Sequence, residues 1–141
     1  MTSQPMGKLS SEGALRSFYV VELMRSTGEK EFPAQLMSCF LWIASHNGCR
    51  QEDLKKACSI SPGAVSRNVT WLGPQHRLKH RSGLKLVRRE RDLENYKAWR
   101  LYLTPRGEIF LNVLEQHALP DFKQSLKEVQ ATNDQTDEDL E

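Results

Sequence analysis

No run of apolar residues in this 141-residue chain is long enough to span a bilayer. The opening MTSQPMGKLS lacks the hydrophobic segment that a signal peptide needs, so a soluble intracellular protein is expected. Cysteine is scarce. Cys39, Cys49 and Cys58 are an odd number with no two close in sequence, which argues against a disulfide framework and against a zinc site. Cys39 lies in an apolar helical run and is expected in the core. Cys49 and Cys58 are the candidates for redox sensing, although lone cysteines more often simply pack. His76 and His80 stand four apart, a spacing that can chelate a metal, but no third ligand accompanies them. No metal or other cofactor is therefore expected. The chain also lacks a Ser/His/Asp constellation, a Gly-rich phosphate loop and paired carboxylates in an apolar setting, so catalysis is not expected.

What the chain does have is segregated charge. The net charge is +2. From Arg50 to Gly107, 14 Lys and Arg face 5 Asp and Glu, which leaves 6 against 13 for the rest. A basic middle with acidic ends is the footprint of a polyanion-binding face on an acidic body. The alternative is an ordinary solvated surface, which such lopsided segregation disfavours. The apolar share, 38%, supports one modest core.

Apolar spacing divides the chain into elements. Residues 1–10 read as a flexible arm. A first helix is predicted from an N-cap at Ser11 to about Arg25, with Ala14, Phe18, Val21 and Met24 on its inner face and Thr27-Gly28 as its stop. A second runs from about Pro33 to His46. Leu36, Phe40 and Ile43 form its inner stripe, which Met37, Leu41 and Ala44 widen, and Asn47-Gly48 ends it. Cys49 begins a very short strand. A third helix covers about Gln51 to Ala57, with Leu54 and Ala57 inward and Lys55 and Lys56 outward. The short link Cys58-Ser59-Ile60 then suits the turn of a helix-turn-helix, with Ile60 buried at the crossing.

The next stretch, SPGAVSRNVTWL, organises the rest. Ser61 is an N-cap and Pro62 fits the first helical position, where no N–H is needed. Val65, Val69 and Leu72 make one buried stripe. Gly63, Ser66, Arg67 and Thr70 lie away from it, with Arg67 able to pair with a guanine edge or a phosphate. Gly73-Pro74 ends this helix. A basic loop, Gln75 to Ser82, carries Arg77, Lys79 and Arg81. Two half-exposed strands follow, Leu84 to Asp92 and Ala98 to Thr104, joined at Leu93 to Lys97. In the first, Leu84 and Leu86 share one side while Lys85, Val87 and Arg89 share the other. In the second, Trp99, Leu101 and Leu103 oppose Arg100 and Tyr102. Thr104-Pro105 repeats the Ser61-Pro62 pattern and starts a helix that carries Ile109, Phe110, Val113, Leu114 and His117. A last helix is predicted from about Asp121 to Gln130, and residues 131–141 read as a disordered acidic tail. The fold class is mainly α with a small β-hairpin (α+β): a winged helix-turn-helix, occupying residues 11–130.

This order of elements resembles the MarR family of winged-helix regulators. Three stretches carry the likeness: FPAQLMSCFLWIASHNG followed by CRQEDLKKACSI; SPGAVSRNVTWL, with Val65, Ser66, Arg67, Val69 and Leu72 on matching positions; and DLENYKAWRLYLTPRGEIFL, in which YLTPRG is the most specific piece. The resemblance implies a homodimer built from the N- and C-terminal helices. It also implies a cytoplasmic, nucleoid-associated protein of a bacterial or phage-infected cell. The basic insert GPQHRLKHRSG, longer than is typical of the family, resembles those of regulators carried by bacteriophages. There are departures. Asn95 and Tyr96 stand where the family has an Asp-Arg pair whose Arg reaches a minor groove, which leaves Lys97 or Arg91 for that contact. Many members bind small aromatic acids. Phe18, Trp42, Trp71 and Trp99 could line such a pocket, but core packing explains them equally, so a small-molecule ligand stays unknown.

Together these readings imply a sequence-specific regulator of transcription that binds double-stranded DNA. The helix of about residues 61–72 would enter the major groove, with Ser66 and Arg67 nearest the bases and Ser61, Gly63, Asn68 and Thr70 alongside. Lys55, Lys56, Arg77, Lys79 and Arg81 would hold phosphates, and the wing, about residues 84–104, would act through Arg89, Arg91 and Lys97. The alternative is a winged-helix interaction protein docking on transcription or replication machinery.

Overall fold

The computed structural model describes residues 7–27, 31–74 and 82–118. Helix α1 spans Glu12–Arg25, α2 Ala34–Ser45, α3 Gln51–Cys58, α4 Pro62–Leu72 and α5 Pro105–Val113, which continues into a π-helical turn at Leu114–Ala118. Strands β1 (Cys49–Arg50), β2 (Val87–Arg91) and β3 (Trp99–Leu103) form an antiparallel sheet in the order β1-β3-β2. The predicted arm before residue 7, the basic segment at 75–81, the helix at 121–130 and the acidic tail lie outside the described residues.

The core is assembled from stripes that the spacing marks. Leu36, Cys39, Phe40 and Ile43 of α2 are fully buried against Leu54 of α3 and Val65, Val69 and Leu72 of α4. From the sheet come Val87, Leu101 and Leu103, and from the C-terminal side Leu114, with Phe110 set edge-on to Phe40 at 5.5 Å. Burying an aliphatic or aromatic side chain of this size contributes about 1.5–3 kcal/mol, so this shared cluster is what fixes α4 against the sheet.

Four expectations are corrected. Of the face assigned to α1, only Met24 is buried; Ala14, Phe18 and Val21 are exposed, and the helix packs inward through Val20, Leu23 and Met24 instead. Apolar residues surround most of α1, so spacing alone permits two stripes. Ala57 is exposed at the end of α3. The first wing strand begins at Val87 rather than Leu84. Lys85 has φ +60°, a left-handed conformation that interrupts the pleat, and Leu84, Leu86 and Val87 are consequently all buried. Residues 84–86 instead bond to the end of α4: Leu84 N–H donates to Trp71 O (2.9 Å), Lys85 N–H to Gly73 O (3.0 Å) and Leu86 N–H to Leu72 O (2.8 Å). These bonds cap α4 and lead the chain into the wing. The fourth correction, Asn68, belongs to the site.

Candidate nucleic-acid interface

Helix α4 is held by its cap and its inner stripe. The Ser61 hydroxyl accepts from Ala64 N–H at 3.1 Å, and Pro62 occupies the first turn. With Val65, Val69 and Leu72 turned inward, Ser66 and Arg67 project into solvent. Gly63 is exposed beside them; a methyl there would meet only the Arg67 guanidinium, at 3.4 Å. Arg67 has no carboxylate in ion-pair range among the described residues, so its charge is available to a ligand. Thr70 is half-buried and lines a shallow cleft with Gly73, Arg88 and Arg89.

Asn68 does not face outward with them. It is buried, and its Nδ2 donates to Gln35 Oε1 of α2 at 2.8 Å. Three residues on from Val65, it falls on the inner side of α4, where an amide must find a partner. Asn68 is therefore corrected from a base-contacting residue to a tie between α2 and α4.

The other cations separate by what already holds them. Lys55 pairs with Glu52 at 2.9 Å, and its hydrogen bond holds the Glu52 carboxyl below its usual range. Lys56 is exposed. Lys97 is exposed and lines an open cleft with Lys55, Pro62, Val65, Asn95 and Trp99, which separates the wing tip from the first turn of α4. Arg89 and Arg91 both stack on the Trp99 ring, at 4.6 and 3.7 Å from its centroid. The β2–β3 register explains this: Arg91 lies opposite Trp99 and Arg89 opposite Leu101, one pleat along on the same face. Arg88, on the other face, covers Tyr102 and pairs with Glu90. Arg77, Lys79 and Arg81, with His76 and His80, lie outside the described residues.

One residue that organises the site is not visible in the sequence. Asp92, at the end of β2, is 1% exposed. Its Oδ2 is 2.9 Å from Arg50 Nε and 3.4 Å from Arg100 Nε, and its Oδ1 accepts from Glu94 N–H at 3.0 Å. The Glu94 N–H, against the opposing effect of burial, and then Arg100 and Arg50 hold this carboxyl below its usual range. Arg50 precedes α3 and Arg100 lies in β3, so the aspartate ties the wing to the helix-turn-helix and occupies two arginines that composition alone would assign to a ligand.

Trp42 stacks on His46 at 4.2 Å and lines a groove beside α2 with Cys58, whereas Trp99 is covered by Arg89 and Arg91. Trp42 and Trp99 thus have separate surroundings. Cys39 is buried as expected, and Cys58, distant in sequence, packs against it. Burial first, and then the Cys58 charge, pushes the Cys39 thiol up to about 12. Burial, and then the charge of Asp53, takes Cys49 to about 11. A thiol so raised is a poor nucleophile at neutral pH, which counts against Cys49 as a redox sensor. Among the described residues, no group of three His, Cys, Asp or Glu is placed to hold a metal, and no helix is long and apolar enough to cross a membrane.

A three-helix core, a capped outward helix and a two-stranded wing returning onto a short β1 define a winged helix-turn-helix, here flanked by α1 and α5. Solved structures place the fold more narrowly, with that of MarR-type regulators. The chain is similar to a mutant MepR from a multidrug-resistant S. aureus clinical isolate (TM-score 0.62, 17% identity, covering 91% of this chain and 86% of that one). It is similar to a MarR transcriptional regulator from Methanosarcina mazei Go1 (TM-score 0.56, 16% identity, 90% and 91% covered). It is also similar to S. aureus MepR in a complex with DNA (TM-score 0.54, 16% identity, 92% and 98% covered). No family model matches the sequence, and no curated protein matches it.

Proposed function

We propose that this protein is a sequence-specific, double-stranded DNA-binding regulator of transcription that works as a homodimer. The observation that carries this reading is the outer face of α4: Ser66 and Arg67, the latter without an ion-pair partner among the described residues, project from a helix whose opposite side is locked into the core. The similarity to MepR solved with DNA supports it. In this reading α4 enters the major groove. Arg67 and Ser66 reach base edges, Ser61, Gly63 and Thr70 lie against the backbone, and Lys55, Lys56 and Lys97 neutralise phosphates. Arg77, Lys79 and Arg81 would add to that charge from the basic segment. Arg89 and Arg91, already ordered on Trp99, would meet the neighbouring strand with little further loss of side-chain freedom.

The homodimer is supported by apolar surface on the outer elements. Phe18, Tyr19 and Val21 of α1 and Ile109 of α5 are exposed, and α1 packs on the π-helical turn that continues α5. A second copy would cover this surface and set two α4 helices about one DNA turn apart. Phe18→Glu should shift the sedimenting species from dimer to monomer; an unshifted dimer would exclude this surface.

Selecting bound sequences from a random duplex pool tests the function. A palindrome with half-sites about one turn apart is expected. On that site Arg67→Ala should cost about 1–3 kcal/mol and relax base preference, whereas Lys56→Ala should weaken all sequences alike and reduce the salt slope by about one. Failure to enrich any sequence, or an Arg67 variant with unaltered preference, would overturn the proposal.

A further inference from the structure

The tip of the wing is closely hydrogen-bonded and carries two exposed apolar side chains among polar ones. Leu93 is 90% exposed and Tyr96 75%, the most exposed of the large hydrophobic residues described. Exposed apolar side chains on a loose loop would mean little, but this loop is tightly bonded. Asp92 N–H donates to Ala98 O (3.0 Å) and Ala98 N–H to Asn95 O (2.8 Å). Side chains complete it: Glu94 N–H donates to Asp92 Oδ1 (3.0 Å), Lys97 N–H to Asn95 Oδ1 (3.2 Å) and Arg91 Nη1 to Tyr96 O (3.2 Å). Through Asp92 the tip is tied to Arg50 and Arg100 of the body. Leu93 and Tyr96 are thus presented from a preformed support whose ordering cost is met in folding rather than in binding.

We infer that Leu93 and Tyr96 form an apolar wedge that enters the DNA minor groove beside the half-site read by α4 and partly unstacks a base step there. This rests on the DNA-binding reading above. The charge around the tip favours DNA as the occupant: Lys97 adjoins Tyr96, and Arg91 and Arg89 stack on the same side of the hairpin, where they can hold the flanking phosphates. Glu94, the exposed carboxylate of the tip, faces Arg50 at 3.6 Å. Apolar side chains inserted from a minor groove unstack and kink the duplex at a cost that the added contacts of the bent DNA offset, and pyrimidine–purine steps yield most readily. The wedge therefore adds a preference for TA or CA/TG steps at the outer edge of each half-site. That preference comes from deformability rather than from hydrogen bonds to bases.

The test uses the full-length protein and the selected duplex. Wild type should bend the DNA in a circular-permutation assay and brighten a fluorescent adenine analogue placed at the flanking step. The double variant Leu93→Ala/Tyr96→Ala should lose both signals and bind on the order of tenfold more weakly. It should keep the salt slope and, because both side chains are exposed, the melting temperature. Tyr96→Phe should retain bend and affinity. A double variant that binds and bends as wild type does would overturn the wedge and leave the tip to a protein partner. Wild type that binds no duplex at all would instead overturn the DNA-binding reading itself.

Discussion

Helices α4 and α5 begin alike and end up in opposite roles. Each opens with a hydroxyl residue and a proline, Ser61-Pro62 and Thr104-Pro105. In each the hydroxyl accepts the backbone N–H three residues on, from Ala64 at 3.1 Å and from Gly107 at 3.0 Å. The caps agree, but their surroundings do not. Thr104 Oγ1 also donates to Lys85 O at 2.6 Å, and Thr104 N–H donates to Leu86 O at 3.0 Å, so the start of α5 is built into the entrance of the wing. Ser61 makes no such side-chain bond to a distant segment among the described residues, and the first turn of α4 opens onto solvent. A local motif therefore determines where a helix starts, while tertiary neighbours determine whether that start is structural or free to meet a ligand.

The glycines of the two first turns give the largest expected difference. A Cβ on Gly107 would lie 2.1 Å from Leu86 O, a backbone atom that cannot step aside. Gly107→Ala should destabilise the fold by about 3 kcal/mol, the upper part of the usual range for overpacking, and lower the Tm by roughly 10 °C. A thermal melt within 2 °C of wild type, by order of magnitude on the same scaling, would mean that α5 is not pressed against the wing entrance.

Removing the caps should separate the helices by less. Ser61→Ala deletes one capping bond and should cost about 1 kcal/mol. Thr104→Ala deletes a similar cap together with the bond to Lys85 O, and should cost about 2 kcal/mol in urea denaturation. Equal losses would show that the Thr104 bond into the wing contributes nothing beyond the cap.

The same contrast explains what could be read from the sequence. Helix starts at Ser11, Ser61 and Thr104 were legible because a cap is a local event. The stripes of α2 and α4 were legible because one face is continuously apolar. In α1 the apolar residues surround the helix, and packing against neighbours such as the π-helical turn selects Val20, Leu23 and Met24 over Phe18 and Val21 among the described residues. Asn68 carries a signal in its phase: it falls beside Val65 and Leu72, where a polar side chain implies a buried tie. Asp92 carried none. It sits in the charged run RRERD, and its role depends on Arg50 and Arg100, which chain folding alone brings to it. Likewise the left-handed Lys85, which shortens β2, answers to the bonds that residues 84–86 make with the end of α4.

The smallest effect bears most directly on function. A methyl at Gly63 meets only the mobile end of Arg67, at 3.4 Å, so no backbone stands in its way. Alanine is also the better helix former, by about 0.5–1 kcal/mol in a helix interior and by less in a first turn. Gly63→Ala should therefore leave the Tm unchanged or raise it slightly. If the first turn of α4 lies close against a DNA backbone, the added methyl occupies the space of approach, and affinity for the selected site should fall while stability does not. That pairing is the reverse of the one expected at Gly107, where stability is lost first and binding only as a consequence. A Gly63 variant with undiminished affinity would show that DNA does not closely approach this turn, and would move the contact along α4 toward Ser66 and Arg67.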